Sequence, residues 1–369
     1  MGDQHLEIVL NPVWEKTRGS HKARHYAGRV TLMAASDRTP KSILLSLPAF
    51  RLESGEPLGA GLKRLSLIEI ESAVTGFFDG EEVFGEAVHA ARKSTKKLRA
   101  LLRLIRYEVG EKVYRFENNL LRDTARLLSD VRSAAVVAMA LEEMRGLYGS
   151  VLADGVLEET SQRLTFQKDR IETRTMEDPE VIPTVVANLE RAYSRYQSWP
   201  VDASARDVYG IGIRDSFESI ERGLKTTFGR GRVGMVKAYT TPTALNFHTW
   251  RKDVKYFRHQ LEMLTPLWPE VIVGMAVTVE RVAELLGEEH DLHELLSAVA
   301  SRPDLCPNPV ERSLIKALGE QRRSDLQTAS RILGRRAYAE TPISLTNRFG
   351  VYWDTKAELS SAEMTAITY

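Results

Sequence analysis

Apolar residues recur three and four positions apart along most of this chain, the spacing that lines one face of an α-helix. The pattern predicts helices over residues 62–78, 88–109, 120–148, 181–196, 245–264 and 275–286. Alternating runs closed by turn pairs are nearly missing after residue 58, and only 29–33 and 43–47 could be short strands, neither with an evident partner. An all-α fold is therefore expected. Two helix-entry signals agree: Asp79 with Glu82 three residues on, and Thr241-Pro242 ahead of the segment holding His248, where Pro suits a first helical position. Residues 1–55 are polar, contain Pro and are weakly periodic, so they read as an N-terminal extension. Glu177, Asp178, Pro179 and Pro183 interrupt the helical period and place a boundary there, giving halves at 56–178 and 179–354 and a tail at 355–369.

Composition adds exclusions. The 369 residues suffice for a sizeable core, and a single cysteine, Cys306, can form neither an internal disulfide nor a zinc cluster. A reducing compartment, the cytosol in the simplest case, is expected. The start, Met1-Gly-Asp-Gln-His, carries no signal pattern, and no run approaches the roughly 18 apolar residues of a membrane span. Charge is balanced overall, 51 Lys and Arg against 50 Asp and Glu, yet it is unevenly spread. From His89 to Arg106 come Arg92, Lys93, Lys96, Lys97, Arg99, Arg103 and Arg106 without one acid. Such a strip is as basic as a nucleic-acid-binding helix.

The strip also has a copy. His89-x-x-Arg92-Lys93-x-x-Lys96-x-x-Arg99 reappears as His248-x-x-Arg251-Lys252-x-x-Lys255-x-x-Arg258, with every spacing kept. About 27 residues after each comes a second match: Leu127-Leu128-Ser-Asp-Val-Arg132-Ser133 against Leu285-Leu286-Gly-Glu-Glu-His290-Asp291. Two motifs in one order imply two related helical units, expected to face each other across a pseudo-two-fold axis. On a helical wheel His89, Arg92, Lys93, Lys96, Arg99 and Arg103 share an arc of about 120°, with Leu98, Leu101, Leu102 and Ile105 opposite. His248, Arg251, Lys252, Lys255, Arg258 and His259 form a like face, backed by Trp250, Phe257, Leu261 and Leu264, with Asp253 turned away. Like charges at these spacings repel, so the stripe needs free solvation or an anion. It spans roughly 21 Å from His89 to Arg103, a length that suits an extended polyanion better than one phosphate. Neighbouring cations would keep His89 and His248 neutral until an anion arrives. His290 and His293 beside Asp291 could be read as metal ligands, but a third ligand is lacking and hydrogen bonding is the simpler role.

The segments VHAARKSTKKLRALLRLIR, ENNLLRDTARLLSDVRSAAV, FHTWRKDVKYFRHQLEML and LGEEHDLHEL resemble the CHAD family, the conserved histidine α-helical domain, and YAETPISLTNRFGVYW looks like its C-terminal end. The resemblance covers roughly residues 58–354. It implies two pseudo-symmetric four-helix bundles around a central basic channel, and inorganic polyphosphate as the partner, with polyphosphate granules as a place to find the protein. Polyphosphate contacts would then fall to His89, Arg92, Lys93, Lys96, Arg99, Arg103, Arg122, Arg126, Arg132, His248, Arg251, Lys252, Lys255, Arg258 and His290. One departure stands out: the family's first-half Arg-Asp pair is Arg132-Ser133 here, while Asp291 keeps the acid in the second half. Residues 1–55 are too few for the triphosphate-tunnel domain that accompanies CHAD in many chains.

A non-catalytic polyphosphate binder is the leading expectation, with neither cofactor nor metal. An enzyme or accessory subunit acting on phosphoanhydrides is the alternative, but the stripe lacks magnesium-holding carboxylates, a phosphate-cradling glycine loop and a nucleophile paired with a base. Nucleic acid ranks lower, because Trp250 and Phe257 face the core side and no Tyr or Trp is expected in the stripe to stack on bases.

Overall fold

Helix after helix follows where the apolar spacing runs. The computed structural model describes residues 49–78, 84–153, 155–199 and 212–367, with side chains as far as Lys356. Among the described residues there are twelve α-helices, one short 3-10 turn at Thr265–Leu267 and no strand. The helices are α1 (Leu58–Thr75), α2 (Phe84–Leu104), α3 (Arg106–Val109), α4 (Glu111–Leu127), α5 (Ser129–Tyr148) and α6 (Glu158–Glu177). They continue with α7 (Val181–Gln197), α8 (Glu218–Thr240), α9 (Ala244–Leu264), α10 (Pro269–Ser301), α11 (Pro309–Ala337) and α12 (Pro342–Ile367). The candidate strands at 29–33 and 43–47 and the Asp79/Glu82 helix entry lie outside the described residues.

Three local expectations are corrected. The helix expected over 88–109 stops at Leu104, where Ile105 leaves helical geometry, and a single turn, α3, runs to Gly110 at φ 83°. The segment expected as one helix over 120–148 breaks at Leu128 into α4 and α5, whereas its repeat partner α10 runs unbroken through Leu286. Pro242 precedes α9 rather than starting it. Thr243 caps that helix, its side chain accepting from the Asn246 amide at 3.2 Å, a satisfied N-terminal donor of the usual kind. The break at Glu177–Asp178 is present, as the gap between α6 and α7.

Helix α1 packs on α2 and α7, and α4 closes the ring by touching α2 and α7. Helices α8, α9, α10 and α11 likewise pack in sequence, with α11 returning to α8. The basic helices α2 and α9 lie against each other, and α5 packs on α6 and α10. All of this lies within one compact unit, Leu47–Tyr369. Its larger core joins Leu98, Leu101 and Leu102 of α2 to Trp250, Phe257 and Leu261 of α9, all buried. A smaller core holds Leu141, Leu164, Leu295, Cys306 and Ile315, so both cores draw on both sides of residue 178. The apolar backs of the two basic helices are thus fixed, and their charged faces must turn elsewhere.

The seat of α2 against α8 is tight. A Cβ at Gly223 would stand 1.8 Å from the Leu104 carbonyl oxygen and 2.7 Å from that of Arg103, and backbone cannot give way as a side-chain tip can. Gly223→Ala is therefore expected to cost more than about 3 kcal/mol, or to leave the protein insoluble. A urea melt matching the parent's would show that this contact is looser than the geometry requires.

Candidate functional site: a cation cluster where the basic helices cross

Because α2 and α9 pack with their apolar backs buried, their cations meet along the seam. Lys96 of α2 lies within electrostatic reach of Arg251 of α9, of Arg92 on its own helix and of Arg132 from α5. Lys255 of α9 feels Arg251, Lys96 and Arg132. Acids enter the group as well: Asp291 of α10 has its Oδ1 3.9 Å from Arg251 Nη2, Glu294 of α10 lies 3.9 Å from His290 Nε2, Glu289 and Glu294 act on Arg251, and Glu143 of α5 feels Asp291 and Arg132. His89, His248 and His290 border the same cluster, each feeling Lys255. The His248 and His290 rings lie 4.5 Å apart between centroids, tilted by 43°.

Five cations gathered in a partly buried space leave large electrostatic consequences. Burial first, then Arg251, Arg92 and Arg132, pushes Lys96 down to about 8. The same causes, burial ahead of Arg251 and Lys96, push Lys255 down to about 6. His89 and His248 fall to about 4 and His290 to about 3, burial leading and neighbouring cations adding. Burial raises Asp291 in spite of Arg251, Arg132, Lys255 and Lys96. Arg92 and Arg251 are lowered by burial too, but arginine stays charged at neutral pH. Repulsion is also written in the hydrogen bonds. Among the described residues, buried donors with no protein partner include Arg92 Nε, Arg103 Nε, Arg251 Nε and Arg258 Nε, all from the repeated strips, and His248 Nδ1 is an orphan beside them. An unmet buried donor costs about 1–3 kcal/mol, so these arginines are held at an energetic cost.

The CHAD domain family matches residues 69–300, well over half of the 369-residue chain and both copies of the basic motif. The chain belongs to the CHAD family. The match is narrower than the sequence resemblance suggested, since the YAETPISLTNRFGVYW segment falls outside it. No curated protein matches the chain.

In this CHAD chain the cations continue beyond the cluster along the α2–α9 seam. Arg99 Nε donates to Asn118 Oδ1 at 3.1 Å, and Arg103 Nη1 donates to the same oxygen at 3.0 Å and to the Arg99 carbonyl at 2.9 Å. Under them lies the Tyr256 ring, 3.8 Å from the Arg103 guanidinium and 5.7 Å from that of Arg99. An aromatic was not expected in the stripe. Tyr256 is buried beneath the arginines, so it braces their planes and is not open for base stacking. Lys252 is exposed nearby and feels Arg99 and Arg103. Asp253, as expected, leaves the stripe: it turns toward α8, 3.3 Å from Arg230 Nε.

Other expected contacts stand apart. Arg258 is held by Glu262 and Glu280, each at 2.8 Å from Nη2, and Lys93 is exposed with Glu280 as its acidic neighbour. Arg122 pairs with Asp123 at 2.9 Å on the exposed side of α4, and Arg126 is 74% exposed, 3.7 Å from the same carboxylate. Lys97 faces the other way, bonded to Glu69 and 5.0 Å from the Phe50 ring centroid. The two repeats also differ in how their leading arginine is held. Arg251 has Asp291, while Arg92, whose repeat-equivalent acid is Ser133, donates Nη1 to the Ala125 backbone carbonyl. Asn118, Tyr256, Arg230 and Glu280 carry no motif of their own and are found only through the packing.

Among the described residues no group of three or more His, Cys, Asp or Glu side chains could hold a metal ion. No described helix is long and apolar enough to cross a membrane.

Proposed function

We propose that this CHAD chain binds inorganic polyphosphate without transforming it. The observation that carries the reading is the meeting of Arg92, Lys96, Arg132, Arg251 and Lys255 around Asp291, with buried arginine donors left unpaired. A chain of phosphates brings closely spaced negative charge and many acceptor oxygens. It offsets the repulsion and supplies the missing hydrogen bonds in one step, Arg as forked donors and Lys as point charges. Arg99, Arg103 and Lys252 would extend the contact along the seam. In this reading the two repeats, 56–178 and 179–354, are pseudo-symmetric helical bundles whose basic helices α2 and α9 line one channel. The protein would work in the cytoplasm, and at polyphosphate granules where these form.

Counterion release makes such binding fall with salt. A titration of long-chain polyphosphate at rising ionic strength is expected to show affinity dropping steeply, and Arg92→Ala with Lys96→Ala is expected to weaken binding at every salt while the protein keeps its helical circular dichroism. Affinity indifferent to salt, or no binding at low salt, would overturn the reading.

A further inference from the structure

A second basic surface lies on the outer side of α8 and α11. The two helices run antiparallel: Tyr239 Oη donates to the Gln327 carbonyl at 2.8 Å and meets Ser330 Oγ at 2.9 Å, Met235 packs on Gly334, and Gly231 packs on Tyr338. Gly231 and Ala238 of α8 are buried, as are Leu326, Ser330 and Gly334 of α11. Helical spacing therefore turns Arg232, Val233, Val236 and Lys237 outward from α8, and Arg331, Ile332, Arg335 and Arg336 outward from α11. All eight are exposed.

Charge on this face has one sign. No Asp or Glu falls between Glu221 and the end of α8, or between Asp325 and Glu340. The acids that border it are engaged: Asp253 is buried beside Arg230, Glu289 is bonded to Arg323, and Glu340 is bonded to Arg348. Among the described residues Arg232, Lys237, Arg331, Arg335 and Arg336 have no carboxylate partner; Arg331 lies 5.3 Å from the Tyr239 ring centroid. Set among these cations are three aliphatic side chains, Val233 at 67% exposed, Val236 at 55% and Ile332 at 54%. A free phosphate polymer would meet the cations and leave the aliphatics in water. Single-stranded RNA would stack on open aromatic rings, and the one ring among these residues, Tyr239, lies half-buried beside Arg331. An anionic bilayer takes up both kinds of side chain, the cations at its headgroups and the aliphatics at the boundary with the acyl chains.

We propose that the outer face of α8 and α11 docks this protein on anionic lipid bilayers. The face shares no residue with the cation cluster of the seam, so the proposal stands apart from the polyphosphate reading.

The test floats the purified full-length protein with vesicles of phosphatidylcholine alone and of phosphatidylcholine with about one-third phosphatidylglycerol. The protein is expected to partition onto the anionic vesicles at least about tenfold more strongly, and less so as salt screens the charges. Arg232→Gln, Arg331→Gln and Arg335→Gln together should remove at least about tenfold of that partitioning, and Val233→Ser with Val236→Ser at least about threefold with no change in charge. These five side chains are exposed, so both variants should keep the parent's helical circular dichroism and its affinity for long-chain polyphosphate. Equal partitioning onto the two vesicle types, or a triple variant that floats like the parent, overturns the proposal. Full binding by the aliphatic variant overturns it too, because only a phosphate attraction that any free polyanion supplies would remain. Loss of polyphosphate or single-stranded RNA binding by the triple variant would assign the face to a free polymer and would equally overturn docking on lipid.

Discussion

Replacing Lys96 and Lys255 together with Met is expected to make the free protein harder to melt while weakening polyphosphate binding at least about tenfold, or 1.4 kcal/mol. The two effects have one cause. A lysine whose ordinary value is 10.5 but which is held at about 6 carries a folding penalty at neutral pH, and Lys96, at about 8, adds to it. At 1.36 kcal/mol per pKa unit the penalty is of the order of a few kcal/mol, reduced because both side chains reach solvent. Methionine keeps most of the length, removes the repulsion and packs against its neighbours. A rise of several degrees in melting temperature is the expected result. A variant that melts below the parent would show that the amines are held by favourable contacts, and the strained cation cluster would lose its support.

Acidification is expected to act in the opposite direction. For each base the folded-state value lies below the unfolded one: His89 and His248 at about 4 and His290 at about 3 against 6.5, and Lys255 at about 6 against 10.5. Between those values the unfolded chain holds more protons, so stability falls as pH falls, through the histidine window below 6.5 and the lysine window above 6. Asp253, Asp291, Glu143 and Glu280 are raised by burial and oppose the trend once pH drops into their range, which confines the clearest effect to the interval above it, from neutral into weakly acid pH. Free protein should therefore lose melting temperature steadily over that interval. Saturating polyphosphate should restore it, by about 2.7 kcal/mol at a hundredfold excess over Kd and by more at the acid end, where the bases become protonated in the complex. A flat profile without ligand, or one that polyphosphate leaves unchanged, would contradict the electrostatics described for the site.

The sequence displayed the basic faces better than the scaffold. Period alone marked α1, α2, α7 and α9, because each buries a continuous apolar side. It passed over α6, whose only buried residues are Thr160, Leu164 and Thr175. Helix α8 was hidden by its glycines, which read as breakers in a sequence and serve in the structure as close contacts, Gly223 on Leu104, Gly231 on Tyr338 and Gly234 on Trp250. The breaks at Ile105 and Leu128 leave no compositional mark, since both residues are ordinary core side chains. In the site, the repeated cations were legible through their spacing. Their partners were not: Asn118 and Tyr256 act through packing between helices distant in sequence, and the acids that hold Arg258 and neighbour Lys93 lie on α10 and one turn along α9.

The most direct measurement compares short and long polyphosphate on three proteins: the parent, Arg92→Ala with Lys96→Ala, and Arg251→Ala with Lys252→Ala. If the cations of both repeats contact one bound chain, a long polymer gains the second set of contacts without a second loss of translational freedom. The parent should then favour long chains strongly, and each double variant should both bind long chains more weakly and lose much of that preference. An undiminished length preference in both variants would mean that the two helices bind separately, and the single shared site would be contradicted.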